Sequence, residues 1–348
     1  SGAGADATSD GGEEAASLAA ADAGADPPSL DAGDAGDVTP PVVVSITPAD
    51  SASGVATLPS IVVTFSEAMQ PASLTASTTG TSCSGSLQLS ADGFSTCVPL
   101  AGAPTPSAAN TVFAVAPAIG LQSLGKYQLR VTTAAKDASG NPLSADHTQP
   151  AAWTVRYHHS IVIDGNNDFT ADETLSTSTT GYTAYAAWDD TFFYAGLKGP
   201  DVSSASATKF WVCYLGSTAG TTTGVSYNTQ QPGLPFAAKW HVRWKSDNTF
   251  TDALVFGSAW GPASWSFAGD ILQKNDYVEM RVGWTDFAET ITTLKFATYM
   301  LNEQGSSEFS YAAAPAAAFT DSYDADVAKY FAFDPAASVT PKQSPILP

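Results

Sequence analysis

Two tryptophans in a turn-rich stretch, Trp260 and Trp265, have the type and spacing expected of a sugar-binding surface. They stand in residues 257–265, which also contain two glycines and a proline. Indole rings stack on the apolar faces of pyranose rings, from loops or from one face of a sheet with polar groups nearby. This stretch is harder to place in a core than the segments around Trp188 or Trp284. Two roles stay open for this pair: the rings plug one end of a sandwich, or they are the candidate residues that stack on a sugar ligand.

A second aromatic pair lies on a strand with strict alternation, residues 239–245. Trp240 and Trp244 share one face of this strand, and two lysines, His241 and Arg243 share the other. Strand positions four residues apart are separated by roughly 13 Å, which is near the spacing of successive sugar subsites. The basic face predicts contact with solvent, so we expect both tryptophans to point into the core.

Oxygen-bearing side chains recur at even spacing at Asp164, Asn166, Asp168 and Asp172. Calcium needs several oxygen ligands that converge in one coordination sphere. Phe169 stands where an EF-hand loop requires glycine, which excludes that loop.

Templates for catalysis find no match in the sequence. Neither G-x-S-x-G nor the phosphate-binding G-x-x-x-x-G-K-[ST] occurs. His158 and His159 are neighbours on a predicted strand, so they face opposite ways and cannot chelate one metal side by side. Two carboxylates could act as a glycosidase pair, but no two are singled out by their spacing. We expect a protein that is not an enzyme.

The chain has three cysteines. Cys83 and Cys97 fall in one turn-rich region, and we expect them to form a disulfide in an oxidising compartment, which would contribute about 3 kcal/mol. Cys213 lies within an apolar run, residues 210–214, and is expected to be a buried thiol. A cysteine-based metal site is not indicated, because no C-x-x-C spacing occurs.

Composition favours strands and excludes several partners. Hydrophobic residues make up 44% and charged residues only 14% of the 348 residues, and threonine, serine, glycine and aromatic residues are abundant. The net charge of -20, with 14 scattered basic residues, argues against nucleic acid and against anionic membrane surfaces. No apolar run reaches the ~18–20 residues of a membrane span, and no signal peptide is seen.

Residues 1–38 are built mainly from alanine, glycine, aspartate and serine, with nine acidic residues and no basic one. Such a segment cannot bury enough apolar surface to fold, so a disordered acidic tether is predicted. It resembles the spacers that follow the lipid-modified cysteine of bacterial lipoproteins. That resemblance implies a lipid-anchored cysteine before Ser1 and a location outside the cell or on its outer surface.

Residues 39–157 form the first predicted domain. A proline-ended strand at 41–48 leads into Ala49-Asp50-Ser51-Ala52-Ser53-Gly54-Val55 and then Ile61-Val62-Val63-Thr64-Phe65-Ser66-Glu67-Ala68-Met69. Trp153-Thr154-Val155 closes the domain. From residue 40 onward the stretch resembles bacterial Ig-like domains of the S-layer type, which implies a β-sandwich that serves as a stalk or spacer.

The second predicted domain, residues 158–335, centres on Trp188-Asp189-Asp190, whose acidic turn indicates a hairpin of 185–188 and 192–197. With the entry Ile163-Asp164-Gly165, this region resembles carbohydrate-binding modules of family 9 and DOMON-like domains. The resemblance implies a larger antiparallel β-sandwich. Calcium ions are common in modules of this kind, so the resemblance also implies a structural calcium site that uses Asp164 or Asp168. Residues 336–348 are predicted to be a disordered tail.

Together these features predict an all-β, non-catalytic surface protein that binds a glycan or another extracellular polymer. The alternative function is a structural subunit of a bacterial surface layer or extracellular filament, which would self-associate through its β-domains.

Overall fold

The computed structural model describes residues 36–217, 232–305 and 307–348. Within them the regular structure is β-strand with short 3-10 turns, so the all-β prediction is confirmed. No helix in these ranges has the length and apolar character to cross a membrane. Residues Thr39–Pro348 form one compact unit. The predicted tether, residues 1–38, lies almost entirely outside the described ranges.

The first domain is a sandwich of two antiparallel sheets. One sheet has the order β1-β2-β5-β4, and the other has the order β3-β6-β7, with β8 also paired to β6. Its strands are β1 Val43–Thr47, β2 Ile61–Phe65, β3 Leu87–Ser90, β4 Thr105–Ser107, β5 Val112–Val115, β6 Lys126–Val131, β7 His147–Thr148 and β8 Trp153–Thr154.

Alternation explains how this sandwich buries its core. In β2 the side chains of Ile61, Val63 and Phe65 are buried, while the residues between them are half-buried. They pack against the opposite sheet in a cluster that includes Leu129 and Trp153, both 0% exposed. Cys83 and Cys97 are joined by a disulfide across a sequence separation of 14, which confirms the predicted pairing.

The second domain is a larger sandwich. A five-stranded sheet has the order β16-β17-β11-β10-β9, and a nine-stranded sheet has the order β15-β14-β13-β12-β18-β19-β20, with β21 paired to β18 and β22. Its strands are β9 Thr174–Ser176, β10 Thr183–Trp188, β11 Phe192–Lys198, β12 Lys209–Gly216, β13 Trp240–Lys245, β14 Thr251–Phe256, β15 Trp260–Pro262, β16 Ile271–Lys274, β17 Tyr277–Gly283, β18 Leu294–Glu303, β19 Glu308–Ala314, β20 Ser322–Tyr323, β21 Tyr330–Phe333 and β22 Ile346–Leu347.

The predicted hairpin lies at the centre of the five-stranded sheet. β10 and β11 pair in register from Thr183↔Lys198 to Trp188↔Phe193, so Asp189 and Asp190 form the turn. Between the two sheets, Trp240 and Trp244 are almost fully buried, as the alternation of β13 predicted. Cys213 is a buried free thiol.

The outer face of the large sheet is also covered, which corrects one expectation. His241 was placed on a solvent face by its basic neighbours, yet it is only 1% exposed. Its ring stacks on Tyr214 with centroids 4.2 Å apart. Tyr214 belongs to a further apolar cluster that includes Leu234, Phe236 and Val327, from the segments that cross this face. Burial lowers the pKa of His241 well below its ordinary value, so the ring is neutral.

Residues 336–348 are ordered, so the prediction of a disordered tail is wrong. They contain a 3-10 turn, Pro341–Gln343, and end in β22 against β21. The Ala337 carbonyl accepts the Tyr157 amide at 2.9 Å, and the Ser338 hydroxyl donates to the Val155 carbonyl at 2.9 Å. A side chain at Gly54, where φ is +69°, would collide with the Ala336 carbonyl oxygen. This segment therefore fastens the first domain to the second.

Candidate functional site

The turn between β10 and β11 is organised by the carboxylate of Asp189. One of its oxygens accepts the backbone amides of Thr191 and Phe192, each at 2.7 Å. The other accepts the hydroxyls of Ser160 at 2.6 Å and Tyr194 at 2.7 Å. Burial opposes ionisation, but these four hydrogen bonds outweigh it and lower the pKa of Asp189. The carboxylate therefore stays charged and holds the turn in one shape.

The next carboxylate joins the two domains. Asp190 pairs with the Arg156 guanidinium at 2.7 Å and accepts the Thr57 hydroxyl at 2.9 Å. Both partners come from the first domain. An exposed pair of this kind contributes only about 0–1 kcal/mol. The effect of the Arg156–Asp190 pair is to fix the position of the Asp190 carboxylate at the junction.

Trp284 lies beside the same turn. It opens the 3-10 turn Trp284–Phe287, which follows β17. Its backbone amide donates to the Thr191 carbonyl at 2.9 Å, and its indole Nε1–H donates to the Asp189 carbonyl, also at 2.9 Å. The ring is half-buried and packs against Phe193 and Phe287. The backbone hydrogen bond therefore fixes the turn, and the indole hydrogen bond orients the ring on it.

These groups border a cleft of about 510 Å³ at the junction of the two domains. The size is in the range of small-molecule sites. Its walls combine an aromatic ring, paired charges, threonine hydroxyls and small apolar side chains. The lining residues are Arg156, Asp189, Asp190, Trp284, Thr285, Ala288, Glu289, Thr290, Ile291, Pro335 and Ala336. The hydrogen bonds that its carboxylates accept fix the walls of the cleft, and walls of fixed shape are suited to holding a ligand.

Trp260 and Trp265, the tryptophans singled out in the sequence, pack on opposite faces of the large sheet. Trp260 belongs with the cluster on the outer face, and Trp265 packs against the core between the sheets. Trp265 stacks on Trp240 with centroids 6.4 Å apart and donates its Nε1–H to the Asp286 carbonyl at 2.8 Å. Both rings are half-buried. The structure does not bring them together on one surface, and a ligand role for either stays a prediction.

Asp164 and Asp168 stand in the loop after residue 163, where each carboxylate caps the backbone. Asp164 accepts the Asn166 amide at 2.8 Å, and Asp168 accepts the Val162 amide at 3.2 Å. The buried side chain that holds this loop is Glu279, whose Oε1 accepts the amides of Asp164 and Gly165 at 2.8 and 2.6 Å. A calcium role for Asp164 or Asp168 stays a prediction. Glu279 itself is 0% exposed.

A buried hydrogen-bond network lies behind the junction. Glu173, 2% exposed, accepts the Tyr157 hydroxyl at 2.6 Å, the His159 Nδ1–H at 2.9 Å and the Thr170 amide at 2.7 Å. Burial alone would raise the pKa of Glu173, but these hydrogen bonds lower it below the ordinary value. The same contact with Glu173 raises the pKa of His159. His159 therefore has a structural role.

Replacing His159 with glutamine should destabilise the protein more at pH 5.5 than at pH 9. The raised pKa of His159 gives a stabilising contribution that is complete below about pH 6.5 and is lost as the pH rises through that raised value. The lowered pKa of Glu173 keeps its contribution intact down to about pH 4.5. Because His159 is partly exposed, the loss at pH 5.5 should be no more than about 1 kcal/mol.

Urea unfolding at the two pH values measures this difference, with His147→Gln in the first domain as the matched control. An equal loss of stability at both pH values would show that the ion pair does not contribute.

Comparison with known proteins assigns only the first domain to a family. Residues 37–156 match the bacterial Ig-like domain model, which confirms that prediction. No curated protein matches the sequence significantly. In the solved structures, the N-terminal part of the bacterial S-layer protein SbsC is 13% identical over 70% of this chain and 44% of that chain, with a TM-score of 0.25. The part of alpha-2-macroglobulin from Escherichia coli that spans domains MG0-NIE-MG1 is 10% identical over 88% of this chain and 96% of that chain, with a TM-score of 0.24.

The chain spans less than half the length of the S-layer structures that it matches, from 39% to 44%. Structural similarity at these low TM-scores defines neither a partner nor an activity. The assignment of the first domain therefore rests on the family match and on the two-sheet architecture described above.

Proposed function

We propose that this protein is a non-catalytic extracellular binding protein, in which the Ig-like domain presents the second sandwich and the junction cleft receives a glycan. The observation that carries the proposal is the Trp284 ring, which lines the cleft and is positioned by one hydrogen bond from its indole Nε1–H and one from its backbone amide. A ring fixed in advance loses little conformational freedom when a sugar stacks on it. The hydroxyls of Thr285 and Thr290 lie in the same wall and can bond sugar hydroxyls.

A location outside the cytoplasm or on the bacterial surface agrees with two features. Bacterial Ig-like domains are modules of that environment by the resemblance given above, and the Cys83–Cys97 disulfide favours an oxidising compartment. We include in the proposal the lipid-anchored tether and the likeness of the second domain to family 9 carbohydrate-binding modules and DOMON-like domains. We retain Trp260 and Trp265 as separate accessory contacts and Asp164 or Asp168 as ligands of a structural calcium ion.

Replacing Trp284 with alanine should weaken glycan binding at least about tenfold, because the stacking surface is lost. A glycan array identifies a ligand of the unaltered protein, and isothermal titration then gives the affinity of each variant. Phe250→Ala is the matched control, since this partly exposed aromatic residue does not line the cleft. Near-ultraviolet circular dichroism checks that both variants are folded.

Two results would count against this site. If Trp265→Ala or Trp260→Ala abolishes binding while Trp284→Ala retains it, the glycan binds elsewhere on the second domain. If the unaltered protein binds no glycan on the array, the proposed function fails as a whole.

Self-assembly is the second candidate function, and one observation favours it. β1 is an edge strand. Val44, on this strand, is 62% exposed, and Val42, just before it, is 53% exposed. An exposed apolar edge can add a strand from another chain. Light scattering over a wide concentration range distinguishes this function, because a subunit of a surface layer or filament should form defined oligomers while a monomeric binder should not.

A further inference from the structure

The charged side chains around the junction cleft are all paired within the protein, and this bears on which glycans the cleft accepts. This inference rests on the proposed function. Asp189 accepts four hydrogen bonds from its own turn and from Ser160. Arg156, the cation that lines the cleft, is bound to Asp190 at 2.7 Å.

Glu289 is the third carboxylate of the lining. One of its oxygens accepts the Ser217 hydroxyl, and the other pairs with the Lys239 ammonium group. Burial would raise the pKa of Glu289, but the contacts with Lys239 and Ser217 lower it. Lys239 is not part of the lining, so it neutralises Glu289 from behind. Three carboxylates thus face two cations, and the net charge near the cleft is negative.

We propose that the junction cleft selects uncharged glycans and excludes acidic ones, with Asp190 as the residue that sets this selectivity. A uronate carboxylate in the cleft has Arg156 as its nearest cation, and Asp190 already occupies that guanidinium. Binding the uronate there requires either two carboxylates on one cation or the loss of the Arg156–Asp190 pair. A neutral sugar meets no such cost, because it needs only the Trp284 face and hydroxyl partners.

The selectivity can be tested with glycans that share a linkage and differ in charge. The neutral probes are β-1,4-linked glucan and mannan oligosaccharides, and the acidic probes are β-1,4-linked glucuronan and mannuronan oligosaccharides of equal length. Titration of the full chain should give about tenfold or greater preference for the neutral member of each pair that binds. Because the effect is electrostatic, the preference should narrow when the salt concentration is raised from 50 to 500 mM.

Asp190→Asn should reduce or reverse this preference, since it leaves the charge of Arg156 without its carboxylate. We expect uronate binding to strengthen about tenfold in this variant. Asp190→Ser provides a second variant, which is neutral like Asp190→Asn but has a smaller side chain. Asp276→Asn is the matched control, because Asp276 is an exposed carboxylate outside the cleft, 3.8 Å from Lys198.

Each outcome decides a different point. If the unaltered protein binds uronates as tightly as neutral glycans, the selectivity is overturned while glycan binding stands. If the preference is present but neither Asp190 variant changes it, Asp190 is not its cause, and the proposal fails on that point. If no probe binds and the wider array is also negative, both the proposed function and this inference are overturned.

Discussion

Replacing Trp188 with alanine is expected to lower the free energy of unfolding by about 3–5 kcal/mol, the largest effect of any substitution considered for this chain. Trp188 is 1% exposed and ends β10 at the centre of the second sandwich. Its ring meets Tyr157 edge-on, with centroids 4.8 Å apart, and lies 5.3 Å from Phe333. Alanine would leave a cavity between the β10–β11 hairpin, the segment around Tyr157 and the strand β21. Because these three elements cannot all move inward, the cavity would stay unfilled.

Chemical denaturation followed by circular dichroism measures this loss. Trp284→Ala is the appropriate control, because Trp284 is only half-buried and its removal should cost clearly less. A loss below about 1 kcal/mol for Trp188→Ala would mean that the core around the hairpin repacks freely, which its close packing does not permit.

Replacing both Cys83 and Cys97 with serine is expected to cost about 3 kcal/mol, the second largest effect. The disulfide closes a loop across a sequence separation of 14, and a loop of this length restricts the unfolded chain by about that amount. The bridge ties the region before β3 to the segment that pairs with β3, where the Val98 amide donates to the Leu89 carbonyl at 2.8 Å. The effect should therefore fall on the first domain.

Thermal unfolding with and without reductant provides the measurement. The unaltered protein should lose stability when reduced, and the double serine variant should not respond further. Cys213→Ala is the control, because Cys213 is a buried free thiol and this variant should keep its response to reductant. If the double serine variant unfolds at the same temperature as the unaltered protein, the disulfide does not contribute to the stability of the fold.

Local sequence patterns were sufficient to predict much of this fold. Alternation in β13 predicted the inward tryptophans Trp240 and Trp244, and an acidic dipeptide between two apolar runs predicted the β10–β11 hairpin. The first domain was identified from motifs at both of its ends. In each case the information lies within about ten residues, where side-chain periodicity and turn chemistry act directly.

The cleft could not be predicted in this way, because its residues are far apart in the sequence. Arg156, Asp190, Trp284 and Ala336 meet only when the two domains and the C-terminal segment are assembled. Sequence reasoning placed Trp284 in a core more readily than Trp260 or Trp265. The available signal was the Gly-Trp-Thr-Asp sequence at 283–286, in which Asp286 caps the turn by accepting the Gly283 amide at 2.9 Å.

The burial of two polar side chains could not be predicted from alternation either, and the cause is the same for both. His241 and Glu279 stand at alternating positions that normally face water. In both cases a second layer covers the outer face of the strand: other chain segments lie over His241, and the loop at Asp164 and Gly165 lies over Glu279. Periodicity reports which residues share a face, but it does not report whether another segment will cover that face.

The fastening of the two domains by residues 336–338 also limits how such a pair can be recombined during evolution. Domains that are exchanged independently are joined by exposed linkers, and few contacts cross the boundary between them. Here the Gly54 amide donates to the Ser338 hydroxyl at 2.8 Å, so a segment between β21 and β22 of the second domain completes the surface of the first. A gene fusion that took residues 39–157 alone would expose this surface, and the two modules should therefore be inherited and transplanted together.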